Sequence, residues 1–93
     1  MKVTPDIIRY EFIGTQARIA QSPHSDYLGL AGPVIEETKN TLTLVHQGQP
    51  KSVIKDLATF DFKFPDGTVV EIDGKLLVGR SEDRLKKNIK RLW

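Results

Sequence analysis

The feature that most constrains this chain is a pair of period-two segments joined by a turn. Phe60, Phe62 and Phe64 fall on one face and Asp61 and Lys63 on the other, before Pro65-Asp66-Gly67. Val69-Val-Glu-Ile-Asp then resumes the alternation. Side chains two residues apart share a face in an extended strand, so the pattern predicts two half-buried strands. A three-residue loop with Gly67 in the left-handed region suits Pro-Asp-Gly, because glycine takes positive φ at little steric cost. Phenylalanines opposed so regularly by charges are expected in a core, in preference to stacking on nucleic-acid bases.

The same reading extends upstream. Ala17-Arg-Ile-Ala predicts a first strand, and Leu28 to Ile35 a second, interrupted by Gly29, Gly32 and Pro33. Proline lacks a ladder donor and glycine permits a bulge, so this strand is expected at an edge or strongly bent. Glu36-Glu-Thr-Lys-Asn reads as a turn, with Asn40 as the candidate for a left-handed conformation. Thr41 to His46 alternates and places Leu42 and Leu44 inward; Gln47-Gly-Gln-Pro predicts a turn and Lys51-Ser-Val-Ile-Lys a fourth strand. Asp73-Gly74 ends the sheet, with Gly74 as a structural turn position. Short strands at this spacing imply a small antiparallel barrel, whose closure needs one strand able to turn a corner.

Helices are predicted at both ends. Thr4-Pro5-Asp6 supplies a cap, a first-turn proline and an acid, giving a short helix over about 5–12. The barrel is expected over about 16–79, within a single domain spanning 1–93. Ser81 is the cap expected of a closing helix over about 81–92, with Leu85, Ile89 and Leu92 on one face.

That last segment carries the charge. Residues 80–93 hold six Lys or Arg against two acids, a net +4, while the whole chain is only +2. By difference the first seventy-nine residues are −2. Glu82 and Asp83 stand near the positive end of the expected helix dipole, whereas Lys90 and Arg91 have no acid four residues away. A solvated face accounts for part of this pattern; the concentration of one sign points further, to a polyanion. Candidate phosphate contacts are Arg80, Arg84, Lys86, Lys87, Lys90 and Arg91, with Lys39 and Lys75 extending the patch from turns or strand ends.

Composition excludes several chemistries. The absence of cysteine removes disulfides, thiol nucleophiles and thiolate metal sites. No apolar run approaches the ~20 residues of a membrane span. Met1-Lys-Val-Thr-Pro-Asp has no signal-peptide core and reads as a cytoplasmic start. Ser22, His24, Ser25 and Asp26 contain the residue types of a triad, but neighbours on one loop rarely adopt that geometry. His46 ends a strand, where it is a solvated rim residue or an RNA contact. Two isolated histidines make no metal site. Neither catalysis nor a bound metal is therefore expected of this chain.

Several segments together resemble a known family. Glu37-Thr-Lys-Asn-Thr-Leu, Phe64-Pro-Asp-Gly and Asp73-Gly-Lys-Leu-Leu-Val-Gly-Arg-Ser-Glu-Asp-Arg resemble the archaeal ribonuclease P protein subunit with an Sm-like barrel. Its eukaryotic counterpart is shared by ribonuclease P and the mitochondrial-RNA-processing ribonuclease. Tyr10-Glu-Phe-Ile-Gly and Leu28-Gly-Leu-Ala-Gly-Pro-Val also fit, although Ser81 stands where proline is expected. The resemblance implies a six-stranded Sm-like or SH3-like barrel with short terminal helices. It implies a non-catalytic subunit that binds ribonuclease P RNA, paired as a heterodimer with a zinc-ribbon protein subunit. Precursor tRNA is then met indirectly, and magnesium serves the catalytic RNA, with no cofactor on this chain. The alternative is an SH3-like module binding a protein through strand edges. Such a module wants an exposed aromatic groove, and few aromatics, among them Tyr10, Tyr27 and Trp93, lie outside the phenylalanine strand.

Overall fold

The computed structural model describes residues 11–79. They form six antiparallel strands: β1 (Gln16–Gln21), β2 (Ala31–Glu37), β3 (Thr41–His46), β4 (Gln49–Ile54), β5 (Thr59–Lys63) and β6 (Val69–Asp73). The strands lie in one sheet in the order β4-β3-β2-β1-β5-β6. Short 3-10 turns fill Ser25–Tyr27, Lys55–Leu57 and Gly74–Leu77. The predicted helix over 81–92 lies outside the described residues. So does nearly all of the one over 5–12, whose last two positions, Glu11 and Phe12, are not helical.

β2 is the strand that turns the corner. Ala31–Pro33 pair with β1, whereas Val34–Glu37 pair with β3 across a register shift between Val34 and Glu36. Gly32 sits at the handover because a Cβ there would strike the Val45 carbonyl of β3. That close approach demands glycine whatever its dihedrals. At the end of this ladder the His46 imidazole meets the Ala31 backbone, with Nδ1 3.2 Å from the amide nitrogen and 3.1 Å from the carbonyl oxygen.

The core is the inward face of the alternating strands. Ala17, Ile19, Leu42, Leu44, Phe60, Phe62, Val70 and Ile72 are all buried. Phe12 stacks on Phe62 with ring centroids 4.3 Å apart, and Phe60 stacks on Phe62 at 5.5 Å. Burying rings of this size contributes roughly 2–3 kcal/mol each. Phe12 is held in place by its own turn, since its carbonyl accepts from the Thr15 amide and hydroxyl at 3.0 and 2.7 Å.

Three expectations need correction. The barrel does not close by hydrogen bonding: β4 and β6 are the outer strands, and no ladder joins them. Each runs instead into a 3-10 turn, and the two turns press together through the Gly74 amide, which donates to the Ala58 carbonyl at 2.9 Å. Asn40 is not left-handed. It lies in the β2–β3 turn, where Thr38 and Thr41 bond each other, and the positive φ falls on Gln47 (51°). Gln47 and Gly48 (78°) form a two-residue hairpin loop of the type that matches strand twist. The third correction follows from that loop: Gln49 and Pro50 belong to β4, paired with His46 and Val45. Proline is tolerated there because β4 is an edge.

The β5–β6 hairpin forms as expected. Gly67 has φ +90°, its amide donates to the Phe64 carbonyl at 2.9 Å, and the Phe64 amide donates to Thr68 at 2.8 Å.

Candidate nucleic-acid interface

Gly79 is the last described residue and precedes the +4 segment in the sequence. Its amide donates to the Lys39 carbonyl at 2.6 Å. Lys39 therefore stands, with an exposed side chain, at the root of the +4 segment. Lys75 is exposed on the 3-10 turn just before, where the Asp73 side chain accepts from its amide at 3.0 Å. It lines an open groove of about 660 Å³ together with Ser22, Asp56 and Asp73, so two carboxylates offset its field. Arg80, Arg84, Lys86, Lys87, Lys90 and Arg91 lie outside the described residues.

Beneath this surface lies a group that residue patterning did not single out. Lys55 is fully buried, and its Nζ donates to Glu37 Oε2 at 2.7 Å, Thr38 O at 2.7 Å, Gly79 O at 2.9 Å and Lys39 O at 3.4 Å. The Glu37 side chain is only 5% exposed. An ion pair removed from water in this way is tolerated only when further hydrogen bonds surround it, and here backbone carbonyls supply them. Lys55 also explains Gly74, where a Cβ would collide with the Lys55 carbonyl oxygen and stand 2.5 Å from that of Ala58. One available signal was the step from buried Val53 to position 55, which alternation places inward.

The groups that would make an enzyme do not converge. Ser22 donates its hydroxyl proton to the Leu57 carbonyl at 2.7 Å, and the His24 ring packs against Tyr27, 5.7 Å between centroids. Among the described residues no three His, Asp or Glu are grouped to hold a metal ion. No helix among them is long and apolar enough to cross a membrane. Phe60, Phe62 and Phe64 are buried, which leaves no sheet-surface platform of these rings for bases. On the outer face Arg18 pairs with Asp61 at 2.6 Å, beside a smaller groove that Lys63 and Val69 also line.

Among the described residues the chain is an open, sharply bent six-stranded antiparallel sheet, and the cationic segment that follows is known from the sequence alone. Comparison with known proteins gives its family. The sequence model of the family described as ribonuclease P/MRP, subunit p29, matches residues 5–87. Ribonuclease P protein component 1 of Methanothermobacter thermautotrophicus is 45% identical, over 96% of this chain and 98% of that protein. The protein of the same name from Methanocaldococcus jannaschii is 42% identical, over 98% and 97%. The solved structure of Mth11, described as a homologue of human RNase P protein Rpp29, superposes with a TM-score of 0.60 at 46% identity. That match covers 81% of this chain and 97% of the other. The chain belongs to the ribonuclease P/MRP subunit p29 family. Its role is that of a non-catalytic protein subunit of ribonuclease P.

Proposed function

We propose that this chain binds the RNA of ribonuclease P through a cationic surface at one end of the sheet. Lys39 and Lys75 lie at its edge, and the segment from Arg80 to Arg91 supplies most of its charge. The observation that carries this reading is the Gly79–Lys39 hydrogen bond of 2.6 Å, which sets an exposed lysine beside the start of the +4 segment. Lysine and arginine at such a surface neutralise phosphates and release counterions, which favours any RNA backbone and leaves sequence choice to other features. Chemistry stays with the RNA and its magnesium ions, and precursor tRNA is met through the assembled particle. On this reading the sheet is an Sm-like barrel whose open seam is covered by its two 3-10 turns. The companion is a zinc-ribbon protein subunit, and the complex works in the cytoplasm.

Footprinting of the ribonuclease P RNA backbone with and without the protein tests this. Protection of a contiguous region, lost when the basic residues are neutralised, is the expected result. An unchanged cleavage ladder at protein concentrations that saturate binding contradicts it.

A second reading has its own observation. Among the described residues β4 and β6 each pair with a strand on one side only, so the outer edge of either is available for a partner strand. Pro50 and Lys51 blunt β4, which makes β6 the better edge for such pairing.

A further inference from the structure

We propose that the outer edge of β6 is a docking strand for an extended segment of a partner protein that carries lysine or arginine at alternate positions. The proposal gives the open edge noted above an occupant, and it is independent of the RNA-binding reading.

Which backbone groups face outward follows from the ladder. At its two ends the Phe64 amide donates to the Thr68 carbonyl at 2.8 Å and the Gly74 amide to the Ala58 carbonyl at 2.9 Å. Between them the register sets Val70 on Phe62 and Ile72 on Phe60. Bonded and non-bonded pairs alternate in an antiparallel ladder, so Val69, Glu71 and Asp73 turn their amides away from β5. Among the described residues no other strand meets them.

The edge of β4 is different. Gln49 pairs with His46, and the Lys55 amide donates to the Asn40 carbonyl at 2.8 Å, so Pro50, Ser52 and Ile54 face outward. Proline has no N–H, and the Ile54 amide is met by the Tyr27 hydroxyl at 3.4 Å. Only Ser52 keeps an open donor on β4, whereas β6 keeps all of its own. β6 also contains neither proline nor lysine, two residues that blunt an edge.

The outward side chains select the occupant. Val69 is 60% exposed, Glu71 is exposed and Asp73 is half-buried. Arg18, Asp61 and Glu71 lie in register across β1, β5 and β6. Arg18 is committed to Asp61 at 2.6 Å, so Glu71 stands beside a carboxylate and has no cation of its own among the described residues. Like charges directly opposite are unfavourable, and a cation on a next strand balances the row. RNA does not suit this edge, because its phosphates would meet Glu71 and Asp73. A second copy does not suit it either: the antiparallel two-fold register that uses all three outward residues sets Glu71 on Glu71. The complement is an antiparallel strand of the form Lys-x-Lys-x-Val, its cations against Asp73 and Glu71 and its apolar residue against Val69.

The test titrates the full chain with the acetylated, amidated peptide Thr-Lys-Thr-Lys-Thr-Val-Thr and follows backbone amides by NMR. In the free protein the amides of Val69, Glu71 and Asp73 are expected to exchange at least about tenfold faster than those of Val70 and Ile72. Millimolar peptide is expected to protect all three. Glu71→Lys is expected to weaken binding about tenfold and to strengthen that of the same peptide with glutamate in place of lysine. Glu71→Pro removes an outward donor and leaves the β5 ladder intact, so it is expected to abolish binding. Should that variant not fold, Glu71→Lys, at an exposed position, carries the test. No protection at millimolar peptide, or equal binding of the lysine and glutamate peptides, overturns the proposal. Protection of the same amides by poly(U) assigns the edge to RNA, and protection that rises with protein concentration alone assigns it to a second copy; either result also overturns it.

Discussion

The carbonyl oxygen of Lys55 occupies the space that a Cβ on Gly74 would need, so the two 3-10 turns that follow β4 and β6 meet backbone to backbone. Gly67, by contrast, has nothing within 4 Å of its missing Cβ and is required only by its φ of +90°. The two glycines therefore answer differently to substitution. Gly67→Asn is expected to be nearly neutral, since asparagine tolerates the left-handed region, while Gly67→Val costs roughly 1–2 kcal/mol. Gly74→Ala forces carbonyls apart and is expected to cost about 1–3 kcal/mol or more. Urea midpoints of the three variants check this order; a Gly74→Ala midpoint equal to wild type contradicts the close approach.

The Lys55–Glu37 pair makes a prediction about single and double replacements. Lys55→Met leaves a buried carboxylate without its cation and is expected to destabilise by roughly 3–5 kcal/mol. Adding Glu37→Met is expected to recover most of that loss, because an apolar pair of similar volume has no charge to desolvate. A double-mutant cycle by chemical denaturation measures the coupling. Additive losses would show that the two charges do not depend on each other.

Phe12 tests how far the core extends beyond the strands. It is fully buried and lies 4.3 Å from Phe62, ring to ring, and 6.0 Å from Phe64. Phe12→Ala is expected to cost about 3–5 kcal/mol and to lower the melting temperature accordingly. A melting temperature unchanged by this replacement contradicts the packing of residue 12 on the β5 phenylalanines.

Charge in the basic segment has a thermodynamic signature. If Lys86, Lys87, Lys90 and Arg91 each neutralise a phosphate, replacing all four with alanine flattens the log–log salt dependence of RNA affinity by roughly 3 units. Lys39→Ala alone is expected to flatten it by roughly 0.7–0.9. An unchanged slope in a folded four-alanine variant removes these residues from the interface.

The sheet was legible where local pattern suffices. Phe60, Phe62 and Phe64 alternate with charges, and Pro65-Asp66-Gly67 is a turn whose chemistry is written in adjacent residues, so β5, β6 and their loop follow directly. Gly32 and Pro33 marked the bent strand for the same reason. Asn40 misled because the Thr38–Thr41 hydroxyl pair shapes that turn, whereas Gln47 takes positive φ under the pressure of a two-residue hairpin. Closure of the barrel depends on where β4 and β6 end, and strand boundaries carry the weakest local signal. Lys55 was legible only as an inward position in the β4 alternation, and not as the centre of an ion pair. Its partners lie 16 to 24 residues away in sequence, and only the fold brings a carboxylate and three carbonyls around one ammonium. The six tail cations of the proposed interface were read from composition and fall outside the described residues.

The central claim is that this chain contributes cationic surface to a catalytic RNA and performs no chemistry itself. A magnesium titration of 5′ leader removal from precursor tRNA tests it most directly, run with RNA alone, RNA with the protein and its zinc-ribbon companion, and protein alone. Bound cations substitute for part of the divalent charge that brings phosphates together. The account predicts cleavage at the same site with a lower magnesium requirement in the presence of protein, and none with protein alone. Cleavage by the protein alone that disappears on replacing His24 or His46 would contradict it.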